Sequence, residues 1–229
     1  MNQERKSAII TGLLFIVATS AALVGDSILG SRLSAADYLA AIAMDPSRVI
    51  LSVIFKFVAA ASSAGIAMSL YPVLRRHSEG LALGSVCFRL VEGVFYLVGN
   101  LGLLSLVPLG QEYIKSGAAI APQLQVTGRL VMATGEWSGF VLAVLAFCIG
   151  ASMYYVVLFR TRLVPRWLSL WGLIALAMLL TMVVLGMSVG TPRPSGMMLA
   201  LAFPIFAQEI VLALWLIVKG FNPCVDKLR

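Results

Sequence analysis

Of the chain's 229 residues, 60% are hydrophobic and only 12% charged, with a mean hydropathy of +0.97. A water-soluble domain carries roughly a quarter of its residues as charges, so most of this surface must face something other than water. The net charge of +7 does not point to nucleic acid, because the bases sit in short clusters between long apolar runs, as they do in the loops of membrane proteins.

A membrane-spanning helix needs roughly 20 apolar residues, since ~30 Å of hydrocarbon is crossed at ~1.5 Å per residue. The apolar stretch after Arg5 and Lys6 runs from about Ala8 to Leu29, longer than the roughly 7–15 residues of a signal-peptide core, and is expected to be the first span. The predicted spans are 8–30, 49–71, 81–109, 124–159, 167–190 and 197–218. The third and fourth exceed what a bilayer requires, which allows tilt or extension beyond it. Between the first two, residues 34–46 are too short and polar to cross. They predict a short surface helix begun by Ser34 or Asp37 and ended before Pro46.

The bases give the bundle an expected orientation. With the N-terminus inside, the inner regions hold Arg5, Lys6, Arg75, Arg76, Arg160, Arg162, Arg166, Lys219, Lys227 and Arg229. The outer ones hold Arg32, Arg48, Lys115 and Arg193. That asymmetry favours both termini in the cytoplasm, and Trp167 and Trp171 suit an inner-interface anchor. The expected fold is a single all-α domain of about six transmembrane helices over residues 1–229.

Six charges fall deep in these spans: Lys56, Arg89, Glu92, Arg129, Glu136 and Glu209, with Asp26 near the outer end of the first. Each costs about 2.5–3.5 kcal/mol at a helix centre, so each should face the bundle interior and find a partner. Helical spacing agrees. Arg89, Glu92, Tyr96 and Asn100 fall within about 80° of arc, and Gln125, Arg129 and Glu136 within about 40°. Ser52, Lys56 and Ser63 share a face with Ala59, Ala60 and Ala67. Gly80-x-x-x-Gly84 and Gly135-x-x-x-Gly139 mark places where helices could approach closely.

Two readings of these charges stay open. The six sum to zero, so they could form a structural clasp of ion pairs in a non-catalytic membrane sensor or partner subunit. Alternatively Lys56, Arg89, Glu92, Tyr96, Arg129, Glu136 and Glu209 line a site for a small molecule, a lipid or an ion. In that case a carboxylate without a close cation could carry a proton. Glu92 and Glu209, in spans of opposite direction, would suit a weak inverted repeat of the kind transporters use. An intramembrane enzyme is the least favoured class, since no nucleophile–base pair can be recognised.

Other motifs lose their context. Gly186-Met-Ser188-Val-Gly190 matches a nucleophile elbow, but it ends a membrane helix and lacks a following histidine. The single histidine, His77, excludes a haem held by two histidines. Cys87, Cys148 and Cys224 are too scattered for a disulfide framework or a zinc site, and no cofactor motif is present. The implied partner is the bilayer, and nothing specifies protein partners or oligomeric state.

Four segments, Tyr71-Pro-Val-Leu-Arg-Arg-His77, Phe88-Arg-Leu-Val-Glu92, Leu163-Val-Pro-Arg-Trp-Leu-Ser-Leu-Trp-Gly172 and Gln208-Glu-Ile-Val-Leu-Ala-Leu-Trp-Leu-Ile-Val-Lys-Gly-Phe221, resemble in order a bacterial multi-pass membrane family, domain of unknown function 4386. The resemblance implies a bacterial inner-membrane protein of about six helices. It brings no activity, substrate, cofactor or functional residue. Arg89, Glu92 and Glu209 lie inside the segments that carry it.

Overall fold

The computed structural model describes residues 3–35, 37–116, 120–190 and 196–223. Arg193, Cys224, Lys227 and Arg229 lie outside them. The described residues form seven helices and no strand. These are α1 (Gln3–Leu29), α2 (Tyr38–Met44), α3 (Pro46–Leu74), α4 (Glu79–Lys115), α5 (Ala121–Thr161), α6 (Arg166–Val189) and α7 (Gly196–Val218). All but α2 are long and apolar enough to cross a membrane, so the chain is a multi-pass membrane protein.

Each span packs against the next, and α7 closes back on α1, so the six form a ring. The start of α1 and the end of α7 lie at one end of it, hereafter the terminal end. There the guanidinium of Arg5 donates to the carbonyls of Leu216, Ile217 and Val218, capping the last turn of α7. These carbonyls have no acceptor role within the helix, and a cation is the favoured partner for them. Asn222 donates its amide N–H to Leu163 and its side-chain NH2 to Arg162, tying the chain after α7 to the turn between α5 and α6.

Between helices in lipid the driving force is close packing and hydrogen bonding rather than exclusion of water. The larger buried cluster runs from the terminal end, with Leu70, Leu74, Tyr154, Tyr155, Leu158 and Leu168, along the ring to Val141, Met182 and Val183. The second predicted glycine pair marks a close crossing: a Cβ on Gly99 of α4 would lie 3.2 Å from the carbonyl oxygen of Gly135 on α5. The first is only half used, with Gly84 against Met153 and Gly80 facing open space.

Residues 34–46 differ from expectation in shape and depth. A 3-10 turn spans Gly30–Ser34, α2 follows from Asp37, and Pro46 opens α3 at a position where its missing N–H costs nothing. Rather than lying on the surface, α2 buries Tyr38, Leu39 and Ile42 against Leu29, Val49 and Leu106, forming a second, smaller core. Gly110 and Gly128 make room for it: a Cβ on Gly110 would lie 2.6 Å from the Leu39 carbonyl oxygen, and one on Gly128 would overlap the Tyr38 hydroxyl. This is the α2 end.

Candidate functional site

The polar stripe on α4 meets α3 and α5 inside the ring. Arg89 and Glu92 are 2% and 3% exposed, an unusual depth for two charges, and pair at 3.1 Å between Nη1 and Oε2. Those two atoms are not aligned for a hydrogen bond, so the contact is chiefly coulombic. α3 completes it through one residue: the Ser63 hydroxyl donates to Glu92 Oε1 at 3.0 Å, and the Ser63 carbonyl accepts from Arg89 Nε at 3.3 Å. From α5, the Phe147 ring lies 4.6 Å from the Arg89 guanidinium, close enough for a cation–π contact. Gly150 admits the Arg89 stem, since a Cβ there would lie 3.3 Å from its Cγ.

Glu209 of α7 is a second carboxylate within electrostatic reach of the same cation, without an ion pair to it. Its charge acts on Arg89 and on Glu92, yet its Oε1 is buried with no hydrogen-bond partner, while the side chain as a whole is half-buried. Tyr96, one turn beyond Glu92 on α4, is half-buried and feels the charges of Glu92, Arg89 and Glu209. At about 1.5 Å per residue, Arg89 and Glu209 lie roughly 14–15 Å from the terminal ends of their helices. That depth is near the middle of a ~30 Å hydrocarbon layer.

The other expected members are elsewhere. Lys56 pairs at 2.7 Å with Asp26 of α1, nearer the α2 end, with side chains 27% and 66% exposed. Arg129 is exposed and acts on Tyr38 of α2. Burial of the Tyr38 hydroxyl raises its pKa, and the Arg129 charge opposes that shift. Glu136 is half-buried where α5 passes from α-helical turns into a π-helical segment, Trp137–Leu142. The expectation that three cations and three carboxylates converge is therefore revised. Helical spacing gives the angle of a side chain, but not the depth at which neighbouring helices present theirs.

Tyr155 and Ser138 escaped the sequence reading. Tyr155 donates its hydroxyl to Gln208 Oε1, and Gln208 Nε2 donates to the Leu168 carbonyl at 3.1 Å, joining α5, α6 and α7 in a fully buried chain. The π segment, a feature frequent at functional sites, carries Ser138, whose hydroxyl donates to the Phe95 carbonyl at 2.6 Å. The Tyr-Tyr pair at 154–155 inside an apolar run was the available signal for the first. For the second there was none.

Two apolar grooves open on the outside of the bundle. One, of about 460 Å³, lies between α5 and α6 along Leu145, Cys148, Leu176 and Leu180. The other, of about 340 Å³, lies between α4 and α5 along Leu101, Gly102, Leu130 and Gly135. No charged residue lines either. Among the described residues, no three His, Cys, Asp or Glu side chains gather as a metal site would require.

Comparison with known proteins identifies the family: the model for a domain of unknown function, DUF4386, matches residues 10–220, and the chain belongs to this family. No curated protein and no solved structure matches it.

Proposed function

We propose that this membrane bundle binds and releases a proton at Glu209, so that the buried cluster is a proton-carrying site rather than a clasp alone. The observation that carries the reading is the local count of charges. Arg89 pairs with Glu92 and is the cation whose charge also acts on Glu209, because Lys56 is taken by Asp26 and Arg129 stands exposed beside α2. Glu92 has both the ion pair and the Ser63 hydroxyl. Glu209 has a buried oxygen without a partner. A bare second carboxylate in that setting costs several kcal/mol, and a proton removes the cost without rearranging the helices. Tyr154 and Tyr155 also feel the Glu209 charge, so the groups that face it are two tyrosines, Tyr96, Glu92 and a single cation.

The clasp reading keeps one specific support, the closed Arg89–Glu92–Ser63 arrangement, and in our account that is its place. The triad fixes α3 to α4, and Glu209 is the member left to exchange a proton. We further propose that the chain sits in the bacterial cytoplasmic membrane with both termini inside, because Arg5, Lys6, Arg75, Arg76, Arg160, Arg162 and Arg166 all lie toward the terminal end. A reporter fused to the C-terminus that is active only in the cytoplasm checks this orientation.

Proton movement tests the function. Purified protein is placed in liposomes with an entrapped pH dye, and the outer pH is stepped. Wild type should equilibrate faster than E209Q and faster than protein-free liposomes. Equal rates for all three contradict the proposal.

A further inference from the structure

The inner face of α4 carries more polar groups than the ion pair uses. Ser85, Arg89, Glu92, Tyr96 and Asn100 recur at helical spacing on that face, and Ser85 and Asn100 are 1% and 6% exposed. Asn100 Nδ2 and Ser85 Oγ are buried with no hydrogen-bond partner in the protein. Buried donors of this kind are satisfied by ordered water as a rule. Glu92, Tyr96 and Asn100 are each one helical turn apart, so they make a file of polar groups about 12 Å long leading from the carboxylates toward the α2 end.

The two ends of that file are closed differently. Beyond Ser85 the face continues with Ala82 into the large core of Leu70, Leu74, Tyr154 and Leu158. Beyond Asn100 it continues with Leu103 and Val107, which pack against the smaller core that Leu39 and Ile42 of α2 form with Leu106. α2 is a seven-residue helix held by few polar contacts. Tyr113 donates to Asp37 Oδ1 at 2.9 Å, Gln125 Nε2 donates to the Tyr113 hydroxyl at 3.1 Å, and the Tyr38 hydroxyl donates to the Gln125 carbonyl at 3.0 Å.

We infer that the inner face of α4 from Glu92 through Tyr96 to Asn100 is a water-binding access path that opens toward the α2 end, with α2 as its closure. The inference rests on the proton-carrying reading of Glu209 and names the route by which that carboxylate exchanges its proton with one of the two sides. Tyr96 and Asn100 are relaying groups in it, each able to donate and accept.

Thiol accessibility tests the path. Asn100→Cys and Ser85→Cys are placed separately in a chain whose Cys87, Cys148 and Cys224 are replaced, and each is reacted with a water-soluble thiol reagent. Gly110→Ala then pushes a Cβ against the Leu39 backbone and unseats α2, while Tyr113→Phe removes one of its polar ties, the bond to Asp37, together with the bond from Gln125 that positions it, without altering packing. Unseating α2 should speed reaction at position 100 about tenfold, the ratio that an overpacking cost of the smaller kind gives. Tyr113→Phe should speed it less, and position 85 should not respond. If Gly110→Ala fails to fold, Tyr113→Phe carries the test alone. Hydrogen exchange over residues 38–44 reports whether α2 has loosened. A loosened α2 with an unchanged rate at position 100, or position 85 reacting as fast as position 100, overturns the path. The labelling does not depend on protonation of Glu209. A responsive position 100 together with E209Q liposomes that match wild type would therefore leave the water path standing and remove the proton reading.

Discussion

At the terminal end, closure comes from several helices at once: Arg5 caps α7, Asn222 binds the α5–α6 turn, and Gln208 links α5, α6 and α7 through Tyr155 and Leu168. At the other end it falls to the short helix α2, seated over two glycines and tied through Tyr38, Tyr113 and Gln125. The first arrangement moves only if several spans move together. The second can open with the spans in place, because α2 is joined to its neighbours by short connections and crosses nothing. The cover at the α2 end is thus the part that opens at the smaller cost, and the terminal end opens only by the larger, concerted motion.

The sharpest way to break the comparison is at the junction between the two ends. Arg89→Met leaves Glu92 buried without its cation and should destabilise the protein by about 3–5 kcal/mol. The Arg89→Met, Glu92→Met double variant should recover much of that loss, as read by thermal unfolding in detergent. A single variant as stable as wild type would remove the ion pair from the account. Next in size, Tyr155→Phe strands the Gln208 oxygen and should cost about 1–3 kcal/mol, seen as a lower melting temperature. If it costs nothing, the terminal end is less firmly held than described.

Smaller effects sharpen the contrast between the ends. Arg5→Ala frees the last carbonyls of α7 and should cost about 1 kcal/mol. Hydrogen exchange should rise at residues 214–218 and not in α2. The smallest effect is one of pH. Asp45, at the α2–α3 junction, is half-buried, and hydrogen bonds from Ser47 and Arg48 hold its carboxyl below the ordinary carboxylate pKa. Its contribution is therefore present above the unfolded pKa of about 4 and lost as pH falls through the lower folded value. Exchange in the first turn of α3 should rise in that acid range, and Asp45→Asn should abolish the dependence. Equal acid sensitivity in both proteins would contradict it.

Much of the fold was legible because a bilayer imposes one dominant rule, long apolar helices, and six of the described helices are long and apolar enough to cross one. The stripe of Arg89, Glu92, Tyr96 and Asn100 was legible for the same reason, since helical spacing alone sets a shared face. Partner choice was not. Lys56 and Ser63 share a face of α3, yet lie about 10 Å apart along it, so one meets Asp26 while the other meets Glu92. Their depths depend on how α1 and α4 slide against α3, which no local pattern encodes. The burial of α2 was missed because its polar flanks, Asp37 and Asp45, resemble those of a surface helix. The glycines that receive it, Gly110 and Gly128, are more than 60 residues away in sequence.

The central claim is that Glu209 holds a proton that it can give up. Infrared spectroscopy measures this directly through the carbonyl stretch of a protonated carboxyl group, recorded on the purified protein as pH is raised from mildly acidic to alkaline. The account predicts a band that disappears as pH rises in wild type, persists in E92Q and is absent from E209Q. A spectrum without such a band in wild type, or one that E209Q leaves unchanged, would contradict it.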